Sequence, residues 1–156
     1  RRWGYRRSPQ QAASRNLFAT VCPGFIYPLV AGLAPNHSAN LGRHPDRALL
    51  VAHMLTALAA LLQCAKVAPG VSLMAMELFA CAWHLRGDRE AMVRRAVLLC
   101  LTTALALVGP SDLASFHGQV LNEVCAYAGL SVRQDPDEVC RSYAGLLLQS
   151  PLIAMW

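Results

Sequence analysis

From Pro45 onward, apolar residues recur three and four positions apart, the spacing of helices that each bury one stripe. Leu49, Leu50, His53, Met54, Ala57, Leu58, Leu61 and Leu62 form the first stripe and predict a helix to about Ala65. Pro69-Gly70 breaks it, and a second helix is expected from Val71 to about Leu85, ended by Gly87. Asp88 has N-cap chemistry for a third helix to about Leu107, stopped by Gly109-Pro110. Ser111 caps a fourth, expected to close at Gly129, with Leu113, Phe116, His117, Val120, Leu121, Val124 and Cys125 on one face. The fifth opens on the clearest local signal, Asp135 as cap, Pro136 in the first turn, then Asp137 and Glu138 at the positive helix end. It should reach about Gln149, ahead of Pro151. No alternating pattern suggests a strand.

The residues before Pro45 read differently. Residues 1–23 lack periodicity and form a basic, irregular arm, Gly24 to Leu33 is apolar but broken by Pro28, and residues 34–45 are a turn-rich loop. The chain therefore divides into the arm, 1–23, and a helical-repeat domain, 24–156.

Tight loops between these helices imply antiparallel hairpins, and the hairpins repeat. Asp46-Arg47 with Val51 recurs 42 residues on as Asp88-Arg89 with Val93. Asp88 and Arg94 recur 47 residues on as Asp135 and Arg141, each Arg followed by an apolar residue three positions later, Val97 and Ala144. Such periods belong to HEAT and armadillo arrays. The expected fold is all-α, antiparallel hairpins stacked as the end of an α-solenoid, with Asp88, Arg94, Asp135 and Arg141 as struts between repeats.

Hydrophobic residues make up 55% of the chain and charged ones 15%, so much apolar surface needs a core or a partner to cover it. A membrane is not expected to be that cover, because the longest apolar stretch, Ala48 to Cys64, carries His53, Thr56 and Gln63 and falls short of the roughly 20 residues that span a bilayer. The Arg-rich opening also lacks the apolar stretch of a signal peptide. The net charge of +5 resides in Arg1, Arg2, Arg6, Arg7 and Arg15; the rest of the chain is balanced. An arm carrying Trp3 and Tyr5 among arginines has the composition to touch phosphates, but with no charged face later in the chain a solvated linker entering the domain is the preferred reading.

Six cysteines are spaced far wider than the roughly two to four residues of a compact zinc site, and apolar helical settings suit Cys64, Cys81, Cys100, Cys125 and Cys140 as reduced small hydrophobes. His37 and His44 lie together in the loop without a third ligand nearby. No phosphate loop, nucleophile elbow or metal-binding helix motif is present, and Glu77 and Glu123 have no acidic or histidine partner on the same helix face. The expectation is a non-enzyme without a cofactor.

RNLFATVCPGFIYPLVAG from Arg15, AHMLTALAALLQCA, LMAMELFACAWHLR and DPDEVCRSYAGLLLQ, in that order and spacing, resemble the C-terminal region of the telomere length regulation family. The resemblance covers nearly the whole chain; the loop from Ala34 to Pro45 and the apolar end after Pro151 depart from it. It implies a scaffold subunit of the TTT co-chaperone complex. Two other helical-repeat subunits, the phosphatidylinositol 3-kinase-related kinases and, indirectly, the heat-shock chaperone machinery are the implied partners, in the cytoplasm and nucleus. DNA-damage and growth signalling and telomere maintenance are the implied consequences.

The apolar candidates for partner contact are Phe25, Tyr27, Trp83, Leu152, Ile153 and Trp156, since exposed apolar and Met-rich patches mark interfaces. Trp83, among Met74, Met76 and Phe79, is as readily a core residue. The alternative function is nucleic-acid binding by the Arg-rich arm, which requires steep salt dependence abolished by removing residues 1–15.

Overall fold

The computed structural model describes residues 45–66, 70–109, 112 and 118–154. Six helices cover most of them: α1 Arg47–Cys64, α2 Val71–His84, α3 Ala91–Leu107, α4 Gly118–Gln134, α5 Glu138–Leu148 and the short α6 Pro151–Ala154. No strand occurs among the described residues. The expected all-helical class is observed.

The helix α3 holds the middle of the molecule. Nine of its residues are buried, from Val93 to Leu105, because its apolar positions occupy more than one stripe: Val97, Leu98, Cys100 and Leu101 are consecutive or nearly so and all fully enclosed. A helix that is apolar on several sides must be surrounded. It packs on α1 and α2 at one flank and on α5 at the other, while α5 packs also on α4. The first, third and fifth helices are thus stacked side by side. Each fully buried Leu or Val in this stack contributes roughly 1.5–3 kcal/mol through removal from water.

Local chemistry sets the boundaries. Gly70 stands at φ 79°, the left-handed region a side chain disfavours, and turns the chain into α2. The third helix begins later than Asp88: its N-cap is Glu90, with no side-chain cap bond. Asp88 instead accepts from the Glu90 amide at 3.0 Å, closing a turn just before the helix. The fifth helix repeats this turn and adds a true cap. Asp135 accepts from the Asp137 amide at 2.9 Å, and Asp137, not Asp135, caps α5 by accepting from the Cys140 amide at 2.9 Å. Pro136 lies in the turn.

The fourth helix also departs from expectation. It runs through Gly129 to Gln134, because the turn beyond Gly129 carries Ser131, which is buried. An interior glycine costs a helix only about 1 kcal/mol, too little by itself to end it. The expected cap Ser111 and the positions Leu113, Phe116 and His117 lie outside the described residues, as do residues 1–44.

With mean hydropathy 1.6 over its 18 residues, α1 is long and apolar enough by length and composition to cross a membrane, contrary to expectation. In the fold, Val51, Leu55, Leu58, Ala59 and Leu62 form its buried face, and Leu49 and Leu50 stay exposed.

Candidate functional site

The expected struts are brought together, and they form a ladder. Arg94 grips Asp135 through one edge of its guanidinium, Nε donating to Oδ2 and Nη2 to Oδ1, each at 2.9 Å. Its third nitrogen, Nη1, donates to the carbonyls of Asp88 at 3.1 Å and Arg89 at 2.8 Å. One guanidinium therefore ties the turn before α3 to the turn before α5. One rung earlier, Arg47 Nη1 meets Asp88 Oδ2 at 2.7 Å. The sequence step is the same, 41 residues, and both aspartates are nearly enclosed, with side-chain exposures of 6% and 8%.

Arg141 occupies the next position. Its Nη1 donates to the carbonyls of Asp135 at 2.8 Å and Pro136 at 3.3 Å, the two contacts Arg94 makes one turn-unit earlier. Arg47, Arg94 and Arg141 are evenly spaced by 47 residues, and this is the operative repeat. The 42-residue match of Arg47 with Arg89 is not: Arg89 is 91% exposed and meets only the adjacent Glu90, at 3.3 Å. Arg47 is not among the struts expected from the sequence, and the signal that finds it is the equal spacing of the three arginines.

Beside the main rung, Arg95 donates from Nε to Asp137 Oδ1 at 2.9 Å and from Nη2 to Oδ2, so the residue that caps α5 is also held from α3. These pairings set the charge states. The Arg94 hydrogen bonds hold the Asp135 carboxyl below its ordinary range, the Arg95 bonds and the Cys140 amide lower Asp137 further, and both arginines are raised by the same contacts. Two thiols cross the stack: Cys100 donates to the Leu55 carbonyl at 3.1 Å and Cys140 to that of Ala91 at 3.7 Å. Burial pushes the Cys140 thiol up to about 12. Cys64, expected on an apolar face, is exposed.

Trp83 is half-buried and packed, stacked on Phe79 at 5.9 Å between ring centroids and edge-on to Tyr127 at 5.7 Å. The Arg86 guanidinium covers it at 4.3 Å. This cluster joins α2 to α4, and Tyr127 completes it by donating to the Arg86 carbonyl at 3.3 Å. Leu152 and Ile153 pack partly against the core. Phe25, Tyr27, Trp156, His37, His44 and the Arg-rich arm lie outside the described residues. Among the described residues, no group of three or more His, Cys, Asp or Glu side chains is placed to hold a metal ion. A surface hollow of about 190 Å³ opens beside Asp135 and another of about 460 Å³ beside Asp88, both at turns of the ladder.

Comparison of the chain with family models, curated proteins and solved structures finds no match.

Proposed function

We propose that this chain is a segment of an α-solenoid of HEAT or armadillo type and works as a non-enzymatic scaffold for other proteins. The observation that carries this reading is the rung made twice at one spacing, Arg47 with Asp88 and Arg94 with Asp135. An ion pair repeated at one spacing holds successive hairpins at a similar separation. Proteins built this way hold extended surfaces for large partners, each repeat leaning only on its neighbours.

The narrower reading is a TTT co-chaperone subunit acting on phosphatidylinositol 3-kinase-related kinases in cytoplasm and nucleus. It is supported by the ordered resemblance from Arg15 to Gln149. Its test is a pull-down from cell extract with the chain as bait, read by mass spectrometry, alongside a bait lacking residues 1–15. Recovery of the other TTT subunits or the kinases by both baits is the expected result. Recovery only of nucleic acid and its binders, lost with the arm, would overturn it in favour of the basic-tail function.

A further inference from the structure

We draw no further inference here: the strongest candidate, the exposed and uncharged outer face of α1 formed by Leu49, Leu50, His53, Ala57 and Ala60, is an unpartnered surface, and nothing in the structure shows what covers it.

Discussion

At the scale of single residues, Arg94 and Arg95 are neighbours with unequal work. Arg94 is 13% exposed and joins two turns, whereas Arg95 is 44% exposed and holds one carboxylate. Removing one partner of an enclosed pair strands the other charge, so Arg94→Gln is expected to cost about 2–4 kcal/mol, near the lower side of fully buried pairs. Arg95→Gln should leave the urea midpoint nearly unchanged, since exposed pairs contribute little. The pH dependence follows from Asp135. Its carboxyl is held below the ordinary value of 3.8, so the rung's stabilisation is complete above that value and is lost as pH falls through the lowered one. Urea midpoints measured from pH 6 down to pH 2 should therefore fall in acid, and Asp135→Asn should flatten that fall while lowering the plateau. Thiol labelling separates the cysteines in the same way: Cys64 should react at once in native protein, and Cys100 and Cys140, both buried, only on unfolding.

At the scale of elements, helix positions were legible and helix ends were not. The spacing from Leu49 to Leu62 names a helix from sequence alone, but not its buried face, which is Val51, Leu55, Leu58, Ala59 and Leu62. What periodicity could not supply is the difference between a capping aspartate and one engaged elsewhere. Asp88, Asp135 and Asp137 have identical side chains, and only the last caps a helix; the first two accept from the amide two residues on and close the turn before the helix. Gly129 misled for a similar reason: its signal is local, and the packing that carries α4 past it is not. Gly129→Ala should stabilise the chain by about 0.5–1 kcal/mol, as the added methyl meets only the mobile end of Arg133 at 3.9 Å. Gly70→Ala should do the opposite by a similar amount, because φ there is 79°. Urea denaturation of the two variants side by side checks both signs.

For the whole molecule, the sequence disclosed a repeat but offered two registers, 42 and 47 residues. Composition cannot choose between them, since Arg89 and Arg94 both lie within one turn of the start of α3. Side-chain reach chooses: only Arg94 can touch both flanking turns. The interaction candidates were less legible. Trp83 reads as exposed or buried from its neighbours alone, and its edge-on contact with Tyr127 joins residues 44 apart in sequence. Leu98→Ala or Leu101→Ala in α3 should cost about 2–5 kcal/mol, and because α3 touches both flanks, hydrogen exchange should quicken in α1 and α5 together.

The side-by-side order of α1, α3 and α5 also bears on how the chain is made. Each helix rests on one that left the ribosome only a few dozen residues earlier, so the contacts are short-range in sequence and folding should be fast. Once Leu107 has cleared the exit tunnel, the nascent chain exposes α1, α2 and α3 and can close that layer before α5 emerges. In a ribosome-arrest series, protection of α1 should therefore rise in one step when Leu107 emerges and not wait for the last helix.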